Sequence, residues 1–167
     1  NIFVFMSNNF KEELEWRGKG YKKQIMVNPV ECNTNNILDI KGNKTAEVTV
    51  CISLYNYAHR IINALESIKL QTLANIDLII VDDCSSDNSI QVAMDWIKVN
   101  LSRFNQVKVI GHKKNQGLST ARNTAIEMAL TEWVFILDAD NVILPLALES
   151  TLKLTTDKNE KVAAIYT

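Results

Sequence analysis

Between Trp133 and Asn141 the sequence reads Trp-Val-Phe-Ile-Leu-Asp-Ala-Asp-Asn, and this stretch restricts the fold more than any other. Its apolar run is short and rich in β-branched and aromatic residues, which makes it a strand buried on both faces. Such a strand requires a sheet covered by helices on either side. Asp138 and Asp140 then leave the strand where the chain enters a loop, the place where open α/β sheets collect their ligands. Two carboxylates one residue apart repel each other unless a cation or a donor lies between them. Hard oxygen ligands of this kind favour Mg²⁺ or Mn²⁺, so the stretch reads as a metal and phosphate site.

The surrounding pattern agrees. Val48–Leu54, Ile76–Val81 and Val107–Ile110 read as strands, and Val162–Tyr166 as the start of a fifth. Helical spacing of apolar residues appears at Ile61, Ile62, Leu65 and Ile68, at Ile90, Ala93, Met94, Ile97 and Leu101, and through Ser119–Leu130. Pro145 suits the first turn of a last helix, with Leu148 and Leu152 facing inward. Strands alternating with helices, without hairpin signals, predict an α/β fold: a mostly parallel, Rossmann-like sheet with right-handed crossovers and helices on both faces. This pattern occupies residues 47–167. Residues 1–46 differ in texture, with a charged patch from Lys11 to Lys23 and an Asn-rich stretch from Cys32 to Asn43. They read as a leader and linker, with a short helix around Phe10 and Leu14 ended by Gly18 and Gly20. Lys19, Lys22 and Lys23 fit a solvated face better than an anionic contact.

The chain has 167 residues, 47% of them apolar, and a formal net charge of −1. It can bury a real core, and it lacks the basic field of a general nucleic-acid binder. Cys32, Cys51 and Cys84 form no Cys-x-x-Cys pair and leave an odd thiol, which fits a reduced, cytoplasmic compartment. No apolar run approaches the ~18 residues of a membrane span. The expectation is a soluble piece of a longer protein, truncated at its C-terminus, whose full length could associate with a membrane surface.

In a parallel sheet the loops after Leu54, Val81, Ile110 and Leu137 open onto one edge. The first lacks the Gly-x-Gly-x-x-Gly fingerprint, which weighs against a dinucleotide dehydrogenase. In the second, Asp82 or Asp83 could accept hydrogen bonds from a base or ribose, or could cap the next helix. Arg122 offers a planar fork suited to phosphate oxygens, and a pair with Glu127 or Asp138 is the competing role. His59 and His112 are lone histidines and read as structural.

Four ordered segments, Val48–Asn56, Val81–Asp87, Asn115–Asn123 and Leu137–Asn141, resemble the signatures of family 2 glycosyltransferases of the GT-A fold. The resemblance covers about Val48 to Thr167. It implies that Leu54, Tyr55, Asn56 and Asp83 cradle the nucleobase, that Arg122 lies near the diphosphate, that Asp138 is near the ribose, and that Asp82 and Gly117 also belong to the nucleotide site. It also implies that Asp140, with Asp138, holds Mn²⁺ or Mg²⁺. The partners implied are a nucleotide-sugar donor, with UDP the expected nucleotide, and an acceptor hydroxyl on a sugar, lipid or protein. Many members carry Pro where Leu54 precedes Tyr55-Asn56. They continue into an acceptor-binding half with an acidic general base, and no residue here matches that base. The expected activity is inverting sugar transfer, with this chain carrying the donor site and little turnover on its own. The alternatives are a non-catalytic nucleotide-binding module and a phosphohydrolase with Asp138 as nucleophile and Asp140 as acid.

Overall fold

A computed structural model describes residues 4–7, 34–42, 45–156 and 164–166. The strands are β1 (Val4–Ser7), β2 (Thr34–Lys41), β3 (Val48–Leu54), β4 (Ile76–Asp82), β5 (Gln106–His112), β6 (Trp133–Asp138) and β7 (Ala164–Tyr166). The helices are α1 (Ile61–Lys69), α2 (Ser89–Asn100), α3 (Leu118–Met128) and α4 (Ala147–Thr156), with a 3₁₀ turn at Leu101–Arg103. They build one sheet of order β2-β5-β4-β3-β6-β1-β7. Its centre, β5-β4-β3-β6, is parallel throughout.

The apolar runs behave as their lengths demand. Every residue of β4 is buried, and β3 is buried at all positions except Ser53. Alternate residues serve opposite faces. Val50, Ile52 and Leu54 of β3 join Leu78, Ile80, Val109, Phe135 and Leu137 on one face, under Leu65 and Ile68 of α1, Ile97 of α2 and Leu148 of α4. Cys51, Ile79, Val81, Ile110, Val134 and Ile136 form the other face, under Ala121 and Ala125 of α3 and the following Ala129. Alanines on that helix let its backbone lie close to the sheet. Helices therefore cover both faces, as the sequence predicts. Burial raises the pKa of the Cys51 thiol and keeps it inert. Among the described residues no helix is long and apolar enough to cross a membrane.

Two strands depart from the sequence reading. β1 and β2 both fall within residues 1–46, read as leader and linker, and both run antiparallel: β2 against β5, β1 against β6 and β7. In β2 the register shifts between Asn36 and Leu38, and most of its residues are exposed. That bulge erases the two-residue alternation by which a half-buried strand is recognised. β7 covers the last part of the expected Val162–Tyr166 strand and lies at the sheet's edge. The helix expected at Phe10 and Leu14, the lysines at 19, 22 and 23, Cys32 and residues 162–163 lie outside the described residues.

Two polar devices close the amino-terminal edge of the sheet. The Arg103 guanidinium donates to the carbonyls of Lys69, Gln71, Leu73 and Ala74, gathering the chain between α1 and β4 around one cation. Asp77, buried near the start of β4, accepts from Asn105 Nδ2 and the Gln106 amide, each at 2.9 Å. Desolvation raises its pKa against the pull of those two donors. A carboxyl whose folded pKa is raised weakens the fold as pH climbs from the unfolded value, about 3.9, through the folded one. Asp77→Asn keeps the acceptor oxygen and removes the charge. It is expected to raise the melting temperature at pH 7 and to leave it nearly unchanged at pH 3. An equal shift at both pH values would show that the buried charge is not the cause.

Candidate functional site

The chain builds β3, β4 and β5 outward in one direction, then crosses the opposite face through α3 to place β6 on the other side of β3. The crevice at the carboxyl ends of β3 and β6 is therefore the switch point of the sheet, where opposed connections leave room for a ligand. Strand register sets its walls. Ser53 lies beside Asp138, Leu54 beside Asp82, and Asp82 beside Gly111.

The loop after β3 is tied to the loop after β4. Asn56 takes a left-handed conformation, φ 58°, which asparagine tolerates better than most residues. Its Oδ1 accepts from the Ser86 amide at 2.8 Å and the Asp87 amide at 3.3 Å, and its own amide donates to Ser85 Oγ at 3.0 Å. The Tyr57 amide donates to Ser89 Oγ at 2.8 Å, and the Ala58 amide to Asp87 Oδ2 at 3.2 Å. Asp87 also accepts from the Ser89 hydroxyl and amide. Burial works against ionising Asp87, yet these hydrogen bonds leave its pKa below the ordinary value. Tyr55 stays exposed above the crevice.

Asp82 and Asp83 are adjacent and do different things. Asp82 accepts from Ser85 through both oxygens, from Oγ at 2.5 Å and from the amide at 3.1 Å, closing its own turn. Asp83 reaches away. Its Oδ1 accepts from the Gln116 amide at 2.9 Å and lies 2.6 Å from His112 Nδ1, while its Oδ2 accepts from the Gly117 amide at 2.7 Å. Neither carboxylate bonds the first turn of α2, so the capping role weighed for them is not the one they take. Asp83 instead holds the turn that opens α3, where Gly117 adopts φ 87°. Only glycine takes that backbone shape without strain. An ionised carboxylate has about four acceptor positions. Asp83 fills three of them internally, leaving one on Oδ2.

Arg122, one turn into α3, donates from Nη2 to Asp138 Oδ1 at 2.5 Å, with both side chains about a third exposed. This is the carboxylate pair that competed with the phosphate role; Glu127 is not its partner in the salt bridge. Its Nε is buried and has no hydrogen-bond partner. Asp140 follows on the exposed turn after β6. The Tyr57 phenol is held above its ordinary pKa, first by the charge of Asp140, then by burial, by its hydrogen bond to Asp140, and by Asp138. Tyr57 thus spans the crevice from the β3 loop to the β6 loop. Among the described residues no cluster of three or more carboxylate, histidine or cysteine side chains forms a closed metal cage.

All nine residues singled out from the sequence, Leu54, Tyr55, Asn56, Asp82, Asp83, Gly117, Arg122, Asp138 and Asp140, lie along this one edge or on the opening of α3. The sequence reading gave Tyr57 no role and read His112 as structural. His59, read as structural, is exposed and stacks near Tyr57 with ring centroids 6.0 Å apart. His112 is buried, held between Asp83 and Thr124. Its position at the end of a strand that feeds the same edge was the available signal.

The sequence model described as glycosyl transferase family 2 matches residues 49–166. EpsH of Bacillus subtilis, which carries a glycosyltransferase name, is 37% identical over 123 residues, covering 74% of this chain and 34% of that protein. Among solved structures, Staphylococcus aureus TarS 1–349 in complex with UDP matches with a TM-score of 0.60 at 25% identity, covering 66% of this chain and 32% of that one. The mannosyltransferase PcManGT of Pyrobaculum calidifontis, in complex with GDP-Man and Mn²⁺, matches with a TM-score of 0.63 at 25% identity, covering 70% and 34%. The chain thus spans about a third of the length of these relatives.

Proposed function

The chain belongs to glycosyl transferase family 2 and shares the GT-A fold, and from that premise we propose that residues 47–167 form the donor-binding part of an inverting glycosyltransferase using a nucleoside diphosphate sugar. The observation that carries this reading is the meeting of Asp138-Ala139-Asp140 with the β3 loop at the switch point, across from the opening of α3. UDP is the nucleotide proposed, and Mn²⁺ or Mg²⁺ the cofactor. TarS with UDP and PcManGT with GDP-Man and Mn²⁺ support a nucleotide-sugar donor and a divalent cation.

In this reading Leu54, Tyr55, Asn56 and Asp82 wall the nucleobase, and the one open acceptor position of Asp83 takes a base N–H. Asp138 meets the ribose. The Gly117 turn and the N-terminus of α3 favour the diphosphate, because amide dipoles at a helix start attract anions. Arg122 neutralises the same group from one turn further along, with its Nη2 shared between Asp138 and a phosphate oxygen. Asp140, with Asp138, would hold the cation, which when bound supplies Lewis-acid stabilisation of the leaving diphosphate. Acceptor deprotonation is assigned elsewhere. Among the described residues Asp82, Asp83, Asp87, Asp138 and Asp140 at this edge all have partners. Glu149, bound to Thr72 and Lys153, lies by the chain that leads into β4, away from the edge. These 167 residues should therefore bind donor and transfer sugar slowly, since a positioned general base supplies ~10²–10⁴-fold.

Calorimetry tests the site. UDP is expected to bind more tightly with Mn²⁺ than with chelator, and Asp140→Ala to abolish the difference while leaving the melting temperature nearly unchanged. Equal UDP binding with chelator would remove Asp140 from the metal site. Release of inorganic phosphate from a monoester, in place of UDP from a sugar donor, would return the phosphohydrolase reading.

A further inference from the structure

We propose that His112 is a positioning residue: it fixes Asp83, and through Asp83 the two backbone amides that open α3. The inference rests on the donor-site reading above for its functional consequence, but its structural part stands on hydrogen bonds alone. His112 Nδ1 lies 2.6 Å from Asp83 Oδ1, and His112 Nε2 lies 3.0 Å from Thr124 Oγ1, with the imidazole fully enclosed. A carboxylate only accepts, so Nδ1 must carry the proton.

The ring therefore bridges three elements: β5, which carries it, the end of β4 through Asp83, and the middle of α3 through Thr124. Asp83 passes the constraint on to the Gln116 and Gly117 amides. With the ring in place the carboxylate has one orientation. Without it, the carboxylate is held only by the Gln116 and Gly117 amides of the turn it is meant to fix, so carboxylate and turn can shift together. The remaining acceptor position on Oδ2, assigned above to the base, moves with them, as does the Gly117 turn from which α3 starts. A ring that merely filled space would need no donor on that side.

The two ring nitrogens can be replaced separately. His112→Asn puts an amide N–H close to the position of Nδ1, on the Asp83 side; His112→Gln reaches toward Nε2, on the Thr124 side; His112→Leu supplies neither. Amide hydrogen exchange at Gln116 and Gly117, UDP affinity by calorimetry and melting temperature are read for all three and for the unmodified chain. Asn is expected to preserve slow exchange at both amides and near-normal UDP affinity. Gln and Leu are expected to speed exchange and to weaken UDP binding by about tenfold, because the loosened carboxylate and turn must be ordered again when UDP binds. If exchange and affinity follow melting temperature alone, or if Asn and Gln behave alike, His112 is packing and the proposal fails. If the unmodified chain does not bind UDP, the donor reading falls, and the exchange at Gln116 and Gly117 still decides whether His112 holds Asp83.

Discussion

Asp83→Ala is expected to lose about 3–5 kcal/mol of folding stability, the usual consequence of removing one partner from a buried charged network. The substitution takes the acceptor away from His112 Nδ1 and from the Gln116 and Gly117 amides at once. The His112 donor is fully covered and Asp83 is 3% exposed, while the Gln116 and Gly117 amides are partly buried. An unsatisfied buried donor costs about 1–3 kcal/mol, so three would cost about 3–9 kcal/mol, and relaxation of the partly exposed turn brings the loss into the stated range. Urea denaturation measures it. With slopes of about 1–3 kcal/mol/M for a chain of this size, the midpoint should fall by more than about 1 M. A shift below about 0.3 M would mean that solvent takes over the Asp83 contacts, and the buried network would be a minor feature of the fold.

Arg103→Ala is expected to cost about 2–3 kcal/mol, less than the sum of its hydrogen bonds because the freed carbonyls can turn to water. Four carbonyls from Lys69 to Ala74 converge on this one side chain, and its guanidinium also lies 6.0 Å from the Phe104 ring centre. No other described group ties that connection so densely. Arg103→Lys keeps the charge but lacks the planar fork, so it should recover less than half of the loss. Thermal melting separates the three proteins, and faster amide exchange in residues 70–75 locates the effect. Equal melting of Arg103→Lys and the unmodified chain would show that charge alone, without the fork, holds the connection.

What the sequence disclosed follows from the range of the forces involved. Apolar runs such as Ile76–Val81 and Val134–Leu137 announce buried parallel strands by composition, and acids at their ends announce the edge. The same local logic found Arg122 beside a glycine turn. It placed the loop boundary too early, because Asp82 and His112 are the last residues of strands and not the first of loops. It left open which of Asp82 and Asp83 would face a ligand and which would cap a helix, and it could not show that most of Asp83's acceptor capacity is turned inward to His112 and the α3 turn. That preference depends on residues about thirty positions away, which no window along the chain brings together. β2 escaped for a related reason: its pairing with β5 outweighs an exposed, bulged and Asn-rich composition that says turn.

The order of the sheet also governs the order in which the molecule can assemble. β3, β4 and β5 are neighbours in sequence and in space, so their pairing closes short loops and can form early. β1 cannot. It precedes β6 by more than a hundred residues and lies between β6 and β7. On a ribosome, the segment Val4–Ser7 emerges before the other strands of this sheet and finds its place only after β6 has been made. Until then its backbone donors and acceptors are unpaired strand edge, open to any other strand that passes. Of the described strands, the one made earliest is thus the one that waits longest for its partners.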